Sequence, residues 1–151
     1  MMAGSLIVDR AGPDDLEVIV PLFDAYRVFY GQESDQDRAR AYLAARFVES
    51  DSVIFLARRD GVAAGFIQMY PSFSSVRTSR IWILNDLFVD ASARRSGAAQ
   101  ALMEFATDWA RESGALGLVL ETAADNEPAS TLYEKLGWKL QSDFKTYQLE
   151  F

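Results

Sequence analysis

The chain has 151 residues, 50% of them hydrophobic and 13% aromatic, with a formal net charge of -7 and neither cysteine nor histidine. That length supports one good core and not two, so a single domain over residues 1–151 is expected. The acidic balance argues against a protein that tracks nucleic-acid phosphates, and the missing cysteine and histidine exclude disulfides, thiolate metal sites, thiol nucleophiles and the commonest general base together.

The apolar run at residues 6–8 reads as a strand, and Gly12, Pro13, Asp14 and Asp15 supply the start of a helix. Leu16, Ile19, Val20, Phe23 and Tyr26 then recur at helical spacing, with Pro21 inside the pattern either kinking the helix or delaying its start. A second helix is expected over residues 35–49, with Ala39, Tyr42, Leu43 and Phe47 on one face. Residues 52–59 and 62–70 are rich in β-branched and aromatic types and flank Asp60-Gly61, which predicts an antiparallel hairpin. Residues 71–77 read as a serine-rich loop, and residues 79–89 as a long strand pairing back on its predecessor. A helix follows from Gly97, with Gly114 as its cap. A buried strand at 116–122, a helix at 126–136 stopped by Gly137, and one or two closing strands in 138–151 complete the chain. No stretch reaches the roughly 18 consecutive apolar residues of a membrane span. The amino-terminal MMAGSLIVDR lacks the blocks of a signal peptide. No membrane association and a cytoplasmic location are therefore expected.

Residues 84–99, LNDLFVDASARRSGAA, carry the strongest chemical signal. An apolar strand runs through a small polar turn into a helix whose first turn is nearly all small residues. Backbone N–H groups at such a turn and at a helix N-terminus form a concave, partly positive cradle for a phosphate-bearing ligand. Arg94, Arg95, Gly97 and Ala99 occupy that cradle. The alternative is an ordinary helix start. A dinucleotide-binding turn fits less well, because it needs a fuller glycine pattern and only Gly97 is present.

The stretch LNDLFVDASARRSGAAQALM, followed by LETAADNEPASTLYEKLGW, resembles the GNAT acetyltransferase superfamily, and the earlier strand, two helices and hairpin arrive in that superfamily's order. The resemblance implies an α/β (α+β) fold: a mixed, largely antiparallel sheet of six to seven strands, splayed between the fourth and fifth, with about four flanking helices. It implies acetyl-CoA in the splay, its pyrophosphate on the turn from Arg94 to Ala99, and coenzyme contacts from Leu87, Phe88, Val89, Arg94, Arg95, Ser96, Gly97, Ala98, Ala99, Asn126 and Tyr133. Ala91 stands where the family often has proline, and Ser96 where it often has lysine or glycine.

The resemblance further implies that Tyr133 faces the coenzyme sulfur as a proton donor; packing of a half-buried helix aromatic is the other reading. Reference values near 10 for tyrosine and about 8.5 for a thiol make full transfer to the thiolate uphill by roughly 2 kcal/mol, so Tyr133 acts first through a strengthening hydrogen bond. Asp86, after Asn85 in an otherwise apolar strand, is costly unless paired, hydrogen-bonded or facing a cleft. It is either a ligand or base for the acceptor amine or a structural carboxylate; polyamine acetyltransferases of the superfamily carry two acids where Asn85-Asp86 keeps one. Glu121 either binds the amine and relays protons or points to solvent. Asn126 is a helix cap that also suits a coenzyme contact. Tyr30, Tyr70 and Phe73 border an acceptor pocket by resemblance, with ordinary packing or a dimer surface as the alternative. With no cysteine for an acyl-enzyme, the expected reaction is direct acetyl transfer to a small-molecule amine, of polyamine, amino-acid or aminoglycoside type. A peptide amine acetyltransferase and a non-catalytic acyl-CoA-binding module are the alternatives. A homodimer is implied by the family, with Phe144, Tyr147 and Phe151 in the aromatic C-terminal segment.

Overall fold

The computed structural model describes residues 4–151, so the first three residues of MMAGSLIVDR lie outside it. Two compact units are present, one ending at Glu121 and one running Thr122–Phe151. Among the described residues no helix is long and apolar enough to cross a membrane.

The first unit is built on a five-stranded sheet of β1 (Leu6–Arg10), β2 (Val53–Arg59), β3 (Val62–Ser74), β4 (Ser79–Val89) and β5 (Leu118–Val119), in that spatial order. β1 to β4 pair antiparallel, and β5 joins β4 in parallel. Asp60 (φ 52°) and Gly61 (φ 81°) both lie in the left-handed region, as a two-residue hairpin turn between β2 and β3 requires. α1 (Leu16–Phe29) and α2 (Gln36–Glu49) cover one face. Their Ile19, Val20, Phe23, Ala39 and Leu43 share a core with Ile54, Leu56, Phe66 and Phe88 of the sheet. α3 (Ala98–Glu112) covers the other face, where Phe55 meets Phe105 at 5.1 Å and Trp109 at 5.5 Å between ring centroids. α1 starts at Leu16 and continues through Pro21.

The register of β4 sets which of its side chains face α1 and which face α3. Leu84 opposes Met69 and Asp86 opposes Gln68, which leaves Asn85 as one extra, unpaired residue. Such a bulge reverses the alternation of every side chain beyond it. Trp82 accordingly meets Trp109 of α3, while Asp86 and Phe88, of the same parity, face α1 and meet Tyr26. The bulge also bends the strand. β5 pairs only with Trp82 and Ile83, and among the described residues no strand pairs with that edge of β4 further on. The N–H of Asp90 donates to the Ala64 carbonyl at 2.8 Å. Antiparallel alternation from that bond turns the N–H groups of Leu87 and Val89 away from β3, toward the open edge.

Four expectations are corrected. Residues 71–74 are strand rather than loop: β2 stops pairing at Met69, so β3 is beyond that point an edge strand, where the missing N–H of Pro71 costs no ladder bond. β5 has two residues instead of the seven of 116–122, because β4 bends away at its bulge. The sheet therefore has five strands rather than six or seven. Residues 138–151 contain no strand among those described, and Leu140, Phe144, Tyr147 and Leu149 are all more than 80% exposed. Alternating apolar residues define a strand face; they do not supply a pairing partner.

The second unit contains α4 (Glu127–Lys135). Asn126 Oδ1 accepts from the Ala129 N–H at 3.3 Å, capping its start. Gly137, at φ 93°, closes the far end: its N–H donates to the Glu134 carbonyl and the Trp138 N–H to the Tyr133 carbonyl, the paired bonds of a Schellman motif. The Tyr133 and Trp138 rings lie 6.2 Å apart, the apolar contact that accompanies that motif.

Candidate functional site

Asp86 is 2% exposed, and every hydrogen-bond partner it has among the described residues is a neutral donor. Gln68 Nε2 donates to Oδ2 at 2.6 Å, while Asn85 Nδ2 and the Tyr26 hydroxyl donate to Oδ1 at 2.7 and 3.1 Å. Burial raises the Asp86 carboxyl above the usual carboxylate range, against the opposing pull of those three bonds. This is how a carboxylate becomes a better base. α1 places Tyr26 here because it follows Ile19 and Phe23 on the buried stripe, with its ring against Phe66 and Phe88 at 5.8 and 6.3 Å.

Two tyrosines, Tyr26 and Tyr70, lie beside this carboxylate. Tyr30 packs edge-on to Tyr26 at 5.0 Å and is 57% exposed. Tyr70 shares a 2.5 Å hydroxyl–hydroxyl bond with Tyr42 of α2, and the Arg46 guanidinium lies 5.1 Å over the Tyr42 ring. Burial, reinforced by the nearby Asp86 charge, holds the phenols of Tyr26 and Tyr70 far above their ordinary range, and the bond to Tyr42 adds to the effect at Tyr70. Both stay protonated at neutral pH. The α1–α2 junction is fixed by buried Asp24, which accepts from the Ser34 hydroxyl at 2.6 Å and the Asp35 N–H at 2.7 Å.

The second half of the site begins where β4 ends. Asp90 accepts from the N–H and hydroxyl of Ser92, and Ser96 donates its hydroxyl to the Ala93 carbonyl. Arg95 (φ 64°) and Gly97 (φ 86°) are left-handed, which turns successive N–H groups to one side. A Cβ built on Gly97 meets no atom within 4 Å, so the concavity over this turn is open. The first N–H groups of α3, at Ala98 and Ala99, have no acceptor within the helix, and the helix dipole adds partial positive charge there. Arg94 donates Nε–H to the Val89 carbonyl at 3.3 Å and lies 6.0 Å over Phe88. Converging amides, two exposed guanidinium groups and small side chains suit a diphosphate.

The structure brings Asp86, Asn85, Tyr70 and Tyr30 together, and sets Leu87, Phe88, Val89 and the turn from Arg94 to Ala99 on the same unit. Phe73 does not join them. It sits five residues past Gln68 along β3, 69% exposed, with the Arg80 guanidinium 4.8 Å over its ring. Glu121 is exposed and lies two residues past β5, outside the sheet. Asn126 and Tyr133 belong to the second unit. The sequence hides the roles of three residues. Tyr26 and Tyr42 count only as apolar positions in a helical stripe, which conceals their hydroxyls. Gln68 is a polar residue within the apolar run GFIQMY, the same signal that marks Asp86.

The model of the Acetyltransferase (GNAT) family matches residues 19–138. An uncharacterized N-acetyltransferase of Bacillus subtilis, YhfO, is 44% identical over 142 residues, covering 94% of this chain and 95% of its own. A crystal structure described as that of a probable acetyltransferase aligns with a TM-score of 0.91 at 39% identity, over 96% of this chain and 97% of that one. The aminoglycoside N-acetyltransferase AAC(6')-Iy, in a complex with CoA, shares the fold at a TM-score of 0.81 and 20% identity, over 99% and 98% of the two chains.

Proposed function

The chain belongs to the GNAT acetyltransferase family, and from that premise we propose that it moves an acetyl group from acetyl-CoA directly onto a primary amine of a small molecule. The observation that carries the acceptor side is Asp86: a buried carboxylate with neutral hydrogen-bond partners, flanked by Tyr26 and Tyr70, on the strand β4 whose edge β5 leaves open. A cationic amine supplies the missing counter-charge, and tyrosine faces add cation–π attraction of about 0.5–2 kcal/mol. Aminoglycosides, acted on by a protein of the same fold, are amines of this chemical class.

On the coenzyme side, the amides of Gly97, Ala98 and Ala99 with Arg94 and Arg95 would hold the diphosphate. Acetyl-CoA, when bound, supplies the thioester carbonyl that the amine attacks. The N–H groups of Leu87 and Val89, facing the open edge, would stabilise negative charge developing on that carbonyl oxygen. Less than about 0.1% of an ordinary alkylamine is neutral at pH 7. Asp86 takes the amine's proton, directly or through water, and Glu121 is the second carboxylate available to the reaction. Tyr133, carried over from the motif LYEKLGW, donates a hydrogen bond to the departing sulfur.

Thiol release from acetyl-CoA, followed across a panel of polyamines, amino acids and aminoglycosides, tests this reading. Release that depends on an amine, with one acetylated product per thiol, is the expected result. Tight acetyl-CoA binding with no amine-dependent release would favour the non-catalytic module instead.

A further inference from the structure

The Tyr26 hydroxyl reaches two acceptors at once: Oδ1 of Asp86 at 3.1 Å and the backbone carbonyl of Asn85 at 3.4 Å. A phenol carries a single proton and two lone pairs, and its O–H rotates. Asn85 is the bulged residue with no opposite number in β3, and its carbonyl is the one Tyr26 meets. We propose that Tyr26 is a hydroxyl rotor serving both protonation states of Asp86, and thus a positioning residue that lets a buried carboxylate act repeatedly as a base. The proposal rests on the reading of Asp86 as the group that takes the amine's proton.

With Asp86 charged, Tyr26 donates to Oδ1. When the amine's N–H bond breaks, its electron pair stays on nitrogen and the proton forms an O–H bond at Oδ1, making the carboxyl neutral. Tyr26 then swings its own proton to the Asn85 carbonyl and accepts the new O–H in a lone pair. No proton leaves the phenol, in keeping with its strongly raised titration. The other groups around Asp86 are less suited to this part. As they stand the Asn85 and Gln68 amides present N–H donors to the carboxylate, and the buried Gln68 Oε1 would reach it only by turning the whole amide over, a larger movement than the rotation of one O–H. Tyr70 of β3 is engaged with Tyr42 of α2, and Arg46, stacked on Tyr42, is paired with Asp51. Among the described residues Tyr26 is the one hydroxyl hydrogen-bonded to Asp86.

The test uses the ligand-free full chain. The Asp86 carboxyl is titrated by 13C NMR in the wild type and in Tyr26→Phe, which keeps the ring packed on Phe66 and Phe88. Tyr26→Phe loses a donor to the charged carboxylate and an acceptor for the neutral carboxyl; the charge-assisted bond is the stronger of the two, so the Asp86 midpoint should rise by about half a unit, a roughly threefold change in its acid constant. In the wild type alone, isotope-edited infrared spectra of tyrosine should show the Tyr26 C–O stretch stepping at the pH where Asp86 titrates, as the hydroxyl changes acceptor. An unmoved midpoint in Tyr26→Phe, or a C–O stretch that stays constant through the titration, overturns the rotor. Both readouts are independent of coenzyme and acceptor. A failed rotor therefore leaves acetyl transfer standing, whereas absent acetyl-CoA binding and thiol release would remove the transfer without touching these titrations.

Discussion

Replacing Asp86 with asparagine should make the protein more stable at neutral pH and far less active. The carboxyl is 2% exposed and its hydrogen-bond partners are neutral, so burial raises its folded-state pKa above the unfolded value near 3.9. By linkage, an acid with a raised folded pKa contributes its full stability below the unfolded pKa and loses it as pH rises through the folded pKa. Asp86→Asn has no charge to bury, so its stability advantage should be smallest below about pH 4, grow through the folded pKa and level off above it. Each unit of elevation is worth about 1.4 kcal/mol at the plateau. Geometry accommodates the substitution: an asparagine carbonyl in the Oδ1 position still accepts from Asn85 Nδ2 and the Tyr26 hydroxyl. Its amide can donate to Gln68 Oε1, a buried atom with no hydrogen-bond partner among the described residues as it stands, once the Gln68 amide turns over. Urea unfolding of both proteins between about pH 3 and 8 measures the difference, and thiol release measures activity, which should fall about 10²–10⁴-fold for the loss of a general base. A variant that is less stable at neutral pH and fully active would refute the reasoning, and would identify Asp86 as a structural carboxylate.

Two further outcomes are expected. Tyr133→Phe should depress turnover while acetyl-CoA affinity, read by calorimetry, stays near wild type; equal losses in both would assign Tyr133 to binding rather than proton donation. Gly97→Ala places a Cβ in open space but at φ 86°, so its cost is backbone strain of about 1–2 kcal/mol, seen as a lower unfolding temperature together with weaker acetyl-CoA binding.

Local patterns in the sequence reveal most of the first unit. Helical periodicity marks α1, α2 and α3, and Asp60-Gly61 fixes the hairpin between β2 and β3; in the second unit Gly137 marks the end of α4. Features set by long-range pairing are harder to see. Strict alternation would put Asp86 on the same face as Trp82; only the register with β3 reveals the extra residue at Asn85 that turns it toward α1. Pro71 obscures the strand at residues 71–74, because nothing local says that β2 has already ended beside it. Tyr147, Leu149 and Phe151 alternate as a strand would, yet hydrogen-bonding partners, which no local pattern encodes, are what make a strand. The turn from Arg94 to Ala99 is legible because its chemistry is local: small residues, a left-handed glycine and a helix start in one short run.

The most direct measurement of the central claim is a titration of the 15N-labelled protein with acetyl-CoA, following backbone amides. Saturable shifts concentrated at Gly97, Ala98 and Ala99, with Leu87 and Val89 responding in step, are predicted. Shifts confined to other parts of the chain, with the amides of this turn silent at saturation, would contradict the account.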